Sequence, residues 1–219
     1  TGNVAVGDTA LDSIESGATD NVAIGSAAGT ALTTGIMNTL IGSLAGDAIT
    51  DGKYNIALGK SALSADTSGN RSIAIGLGAL ETQNFTSDTD AYNIGIGHRA
   101  GTAVTTGVSN TLIGGLAGDA ITTGGNNVAM GLNSLGSNTA AFSNVAIGVR
   151  ALEDFNVTTA TSTYNVAVGE DAGKNVTTGV KNTLIGGLAG DALTDADLNT
   201  AVGYFSLSTD TLGSRSTAI

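Results

Sequence analysis

Cysteine, proline and tryptophan are absent from this sequence, and aromatic residues make up only 4% of it. Without cysteine there is no disulfide, no thiolate metal site and no thiol nucleophile. Without large aromatics, any core must be thin and built from Ala, Val, Ile and Leu. Basic residues are also scarce. Eight Lys and Arg stand against 19 Asp and Glu, giving a net charge of −11. Nucleic-acid binding needs clustered positive charge, so it is excluded as the main activity. No apolar run approaches the ~18 residues of a membrane helix, so no membrane insertion is expected of this segment.

Glycine is abundant, at 33 of 219 residues, and hydrophobic content is 41%. That is too apolar for a disordered chain. The distribution of these residues is periodic. The phrase NTLIGGLAGDA occupies residues 110–120 and 182–192, and NTLIGSLAGDA occupies 38–48. A looser five-residue unit runs through the whole chain: Asn, a β-branched residue, a small residue, an aliphatic, Gly. Asn opens it at Asn3, Asn21, Asn38, Asn55, Asn93, Asn110, Asn127, Asn144, Asn165, Asn182 and Asn199, and Ser72 and Ser216 stand in the same slot. The units are 17 residues long, with a first unit of 18 and two of 21. Three 17-residue units and one of 21 form a 72-residue super-repeat, at 21–92, 93–164 and, in part, 165–219.

Each slot has its own chemistry. The second is always β-branched, which favours a strand. The third is Ala, except for Leu40, Leu112, Leu184 and Gly95. The fourth is aliphatic or Met, and the fifth is Gly in every unit that reaches it. Neither strand face carries charge, and such strands are usually covered on both sides. The eighth slot is Ala or Ser. The ninth is Leu or Gly, and units with Gly there place an aliphatic three residues later, as in Leu32, Ile49, Val104, Ile121, Val176 and Leu193.

This pattern predicts an all-β fold, a parallel β-solenoid or β-roll of about 17-residue coils, forming a single region over residues 1–219. Each coil has room for two short strands and two turns. At ~4.8 Å per coil the rod is on the order of 60 Å long. The asparagines Asn21, Asn38, Asn55, Asn93, Asn110, Asn127, Asn144, Asn165, Asn182 and Asn199 are expected to stack as a structural ladder. A flattened roll leaves the Asn-Ala-Gly face of the strand to be covered by another chain. The expected state is therefore a homo-oligomer about a shared axis, with three copies preferred. The chain starts without Met and stops inside a repeat, so it is expected to be a segment of a longer fibre.

The NTLIG, NVAIG and NTAVG units resemble the repeats of trimeric autotransporter adhesin heads. More closely, they are similar to the longer repeats of bacteriophage tail fibres. The resemblance covers essentially the whole chain. It implies a left-handed β-roll intertwined as a homotrimer in an extracellular attachment structure, on a virion or a bacterial surface. The implied partner is self, with a host cell-surface glycan or protein as a further one. The function expected is structural and non-enzymatic: a segment of an attachment fibre, most like a phage tail fibre. A bacterial surface adhesin head and a self-assembling filament subunit are the alternatives.

No catalytic, cofactor or metal site is expected. His98 is the sole histidine and lacks partners at ligand spacing in the sequence. Asp47, Asp119 and Asp191 recur in the long phrase but lie four coils apart, too far to share an ion within one chain. Glu81, Glu153, Asp154, Glu170 and Asp171 are the nearest approach to a glycan-cleaving carboxylate pair, yet Glu81 and Glu153 are equivalent repeat positions. The two longer units carry the best candidate surface-contact loops, 82–92 and 154–164. These loops hold Phe85, Tyr92, Phe155 and Tyr164, and loops on a rigid scaffold commonly bear recognition.

Overall fold

A computed structural model describes residues 2–219, and among them there is no helix. Thirteen strands, one per coil, form a single parallel sheet whose order follows the chain. Val4–Val6 pairs with Val22–Ile24, that strand with Thr39–Ile41, and so on to Thr217–Ala218. The register is strict: second slot pairs with second slot, as in Val22 with Thr39 and Thr39 with Ile56. The protein is a β-solenoid of about 17-residue coils.

The second strand expected in each coil is absent from most of them. The rest of a coil is turn, because the backbone crosses into positive φ at the fifth, seventh, ninth and last slots. Arg99 (φ 55), Leu116 (φ 55) and Leu135 (φ 52) are examples. Left-handed conformations cost an L-residue roughly 1–2 kcal/mol each. Here they are held by hydrogen bonds between coils: Arg99 N donates to Leu77 O at 2.9 Å and Leu116 N to His98 O at 2.9 Å. The turns are thus laddered along the rod much as the strands are. Short second strands occur only beside the longer units, where Gly69–Asn70 pairs with Thr89–Asp90 and Ala141–Phe142 with Thr161–Ser162.

The fifth-slot glycine is required by coil spacing. A Cβ on Gly148 would lie 2.3 Å from the Gly169 carbonyl oxygen, and the other fifth-slot glycines are similar, except Gly203 near the end of the chain. No side chain fits between two backbones that close.

The core lies inside each coil. Slots one, three and eight point inward, and residues such as Asn38, Leu40, Ala45 and Ala57 are fully buried. The Asn-Ala-Gly face is therefore covered by the chain's own turns. This overturns the expectation that a second chain covers it: the coil is wide enough to enclose small side chains on one side and Leu, Ile or Phe from slots nine and twelve on the other. The face left open is the opposite one. Val6, Ile24, Ile56, Leu58, Met130, Ile185 and Val202, all in slots two and four, are exposed to solvent.

Candidate functional site

The asparagine ladder runs through the interior of the rod. Each Oδ1 accepts from the backbone N–H of the next coil, as Asn21 does from Asn38 (2.9 Å) and Asn182 from Asn199 (2.9 Å). Each Nδ2 in a regular coil donates to a carbonyl in the last turn of its own coil, such as Asn38 to Gly52 O at 2.8 Å. All ten predicted ladder asparagines are buried. They are satisfied in both directions, save that Asn199 Nδ2 has no partner. These residues hold the coil closed and offer nothing to a ligand.

The ladder has a gap at Ser72, whose side chain is too short to reach the next coil. Gln83 fills it. Its Nε2 donates to Ser72 Oγ (2.9 Å) and to Asp66 Oδ2 (2.6 Å), while its Oε1 accepts from Asn93 Nδ2 (2.9 Å). Asp66 also accepts from Gly69 N and Phe85 N. Burial nevertheless pushes its carboxyl above the ordinary aspartate range, against those donors. Sequence reasoning missed Asp66, Ser72 and Gln83. The available signal was a Ser in an Asn column together with polar residues in the twelfth slots of two successive coils, a slot that is apolar in most of the others.

The four loop aromatics divide into two pairs. Phe155 is fully buried and Phe85 is 7% exposed, which corrects their reading as surface-contact residues. Phe155 occupies the twelfth slot, where the next coil places Val176 and the coil before has the buried Asn138, so it completes the core. Tyr92 and Tyr164 are exposed, at 53% and 56%. They share one column but lie four coils apart, roughly 19 Å, and do not form one site. Tyr92 belongs to a surface stack instead. The Arg71 guanidinium lies 4.9 Å from the Tyr54 ring centre and 5.8 Å from that of Tyr92, and it pairs with Asp90. Lys53 bonds Asp88 beside it at 3.0 Å, which holds the Asp88 carboxyl below its usual range.

Three of the five acidic residues considered for glycan cleavage are engaged with one arginine. Glu153, Glu170 and Asp171 surround Arg150, with Asp171 Oδ1 2.6 Å from its Nε. Asp47, Asp119 and Asp191 sit at equivalent turns, each pushed up by partial burial. Among the described residues no group of three or more His, Cys, Asp or Glu is placed to hold a metal ion. Among those described residues no helix is long and apolar enough to cross a membrane.

Comparisons with protein-family models, with curated proteins and with solved structures give no match to this chain.

Proposed function

We propose that the chain is a structural segment of a trimeric, extracellular attachment fibre, most like a phage tail fibre, and that it performs no catalysis. The observation that carries this reading is the open apolar face. Slots two and four contribute only Val, Ile, Leu, Met and Thr over all thirteen coils. They form a strip two side chains wide and roughly 60 Å long. A contiguous exposed apolar surface of that extent marks a contact with another macromolecule. The strip is straight, periodic and uncharged. Identical strips on parallel copies are in register by construction, so cyclic association about a common axis buries all of them at once. The mechanism is mechanical: three stiff rods packed on one another hold a binding tip away from the particle.

The test is the mass in solution by light scattering behind a sizing column, at low micromolar concentration. The expected result is one species close to three times the 21.3 kDa chain mass. A stable monomer overturns the proposal, and an open-ended mass distribution replaces it with a filament.

A further inference from the structure

The sixth and seventh slots of successive coils form a ridge on the outside of the rod. Lys60 and Ser61, Leu77 and Gly78, and His98 and Arg99 follow one another along it. At Gly78 (φ 61) the ridge loses its side chain. The result is a notch of about 380 Å³, bounded by Lys60, Ser61, Leu77, Glu81, His98 and Arg99. Gly78 is its buried floor. A Cβ there would lie 3.0 Å from Glu81 Oε2 and 3.6 Å from Arg99 Cγ.

The charge around the notch is unusual for this molecule. Eight Lys and Arg and one His are its only basic side chains, against a net charge of −11. Three of them meet here. Among the described residues, Lys60, His98 and Arg99 make no ion pair, as Lys181 and Arg215 make none, whereas Lys53, Arg71, Arg150 and Lys174 all do. One carboxylate, Glu81, lines the notch, and its Oε2 is 3.4 Å from the Thr102 hydroxyl. Asp119, one coil beyond, is near enough to feel the Arg99 charge.

The chain contains its own comparison. Seventy-two residues on, Arg150 stands in the slot of Gly78, and Glu170 and Asp171 stand in those of His98 and Arg99. There the ridge is closed from within. Arg150 Nε and Nη2 bond Asp171 Oδ1 at 2.6 Å and Oδ2 at 2.8 Å, and Nη2 lies 3.5 Å from Glu170 Oε1. At Gly78 the central side chain is deleted, and the facing residues are basic in place of acidic. The place of the missing partner is open, and what faces it is cationic.

We propose that the notch over Gly78 binds a carboxylate-bearing ligand the size of one acidic monosaccharide, its carboxylate paired with Arg99 between Lys60 and His98. The planar guanidinium suits a carboxylate, which it can engage through two hydrogen bonds. The volume is at the small end of ligand sites, which limits the ligand to about one ring. Exposed Leu77 offers an apolar wall for that ring. A polyanion is disfavoured, because one local cluster of three basic residues cannot offset the repulsion of a strongly acidic rod. The site is independent of the fibre reading: the notch is formed by one chain, and binding is measured whatever the mass in solution.

His98 is the sole histidine, so its ring Hε1 proton gives one assignable NMR signal. The full chain is titrated at fixed pH and low salt with methyl glucuronide, with the neutral methyl glucoside, and with acetate. Methyl glucuronide is expected to shift the His98 signal saturably, with a Kd on the order of 1 mM, and the glucoside is expected to leave it unmoved. Gly78→Asn fills the notch, and Arg99→Leu removes the anchor. Both residues already occur in this slot at the same φ, as Asn133 and Leu116, so the coil accommodates them. Each variant is expected to weaken binding by about tenfold or more, as loss of a charge-assisted pair does. No saturable shift with glucuronide, or a shift retained in both variants, overturns the site. Equal saturation by acetate overturns the sugar-sized part and leaves a bare carboxylate site.

Discussion

At position 72 the asparagine ladder loses a rung, and three residues differ together from their counterparts 72 residues on. Asp66, Ser72 and Gln83 stand where the next super-repeat has Asn138, Asn144 and Phe155. One set closes the interior with a hydrogen-bonded chain, the other with an amide rung and a buried ring. The two solutions do not mix. Ser72→Asn puts a second amide into the space held by Gln83, and Gln83→Phe leaves the Asp66 carboxylate without its side-chain donor. Each single change is expected to destabilise, and the double change less than the sum. The coupling is on the order of 1–3 kcal/mol, as for residues sharing one network, and chemical denaturation of the four proteins measures it. Additive effects would show that the two sites are independent. Asp66 also makes a pH prediction. Its folded carboxyl is raised above the ordinary value near 3.8 by burial. Its contribution to stability is therefore fully present below that value and lost as pH rises through the raised one. Asp66→Asn removes the dependence. The stability of the variant relative to the parent is expected to climb over that window and to stay level above it. Thermal melts between pH 3 and 8, a window set by the usual carboxylate range, check the sign.

The coils show why some positions could be read from the sequence and others could not. The start of each strand was legible, because a β-branched residue between Asn and Ala recurs at a fixed spacing. The requirement for Gly in slot five was visible as a column, though its cause, backbone contact between coils, was not. The Leu-or-Gly choice in slot nine was also visible, but its partner, slot three of the same coil and of the next, was not. Leu40 reaches over both Gly29 and Gly46, whose Cβ atoms would each lie 2.7 Å from it, and Leu112 covers Gly101 and Gly118 in the same way. A leucine in slot three thus sets slot nine of its own coil and of the coil before. Leu112→Ala is expected to cost about 2–5 kcal/mol, the usual range for emptying a packed leucine site. Gly118→Leu alone is expected to overpack the coil by roughly 1–3 kcal/mol. In the Leu112→Ala background the same change is expected to cost less, since Leu135 shows that the slot accepts leucine at positive φ. Denaturant midpoints of the three variants decide this, and equal costs in both backgrounds would refute the pairing. Phe85 and Phe155 were misread for a related reason. A residue in an insertion looks like a loop tip until its slot is known, and Phe155 belongs to the buried twelfth. Lys60, His98 and Arg99 were legible only as scattered basic residues, because stacking, not sequence separation, brings them to one notch.

For the molecule as a whole, the question is which face meets another chain. Both strand faces are uncharged in the sequence, and composition alone favoured the small-residue face for close approach. The fold assigns that face to the interior, since Asn and Ala leave room for the coil's own Leu and Ile. The β-branched and aliphatic face is left bare. In an isolated rod, a lysine at Leu58 or Met130 would stand in water at positions 41% and 38% exposed, at a cost within about 0.5 kcal/mol. In a trimer packed through this face, the same substitutions would bring several like charges together in an apolar seam. An unpaired buried charge costs several kcal/mol, and each copy adds another. The Leu58→Lys/Met130→Lys double variant is therefore expected to run as a monomer of 21.3 kDa with its β-sheet circular dichroism retained. Control substitutions on the turn side, such as Ser61→Lys, are expected to leave the mass at three chains. If the double variant keeps the parent's mass, the strip is not the seam. The assembly would then have to be held by the turn surfaces, where the acidic residues that dominate the chain's charge would oppose one another.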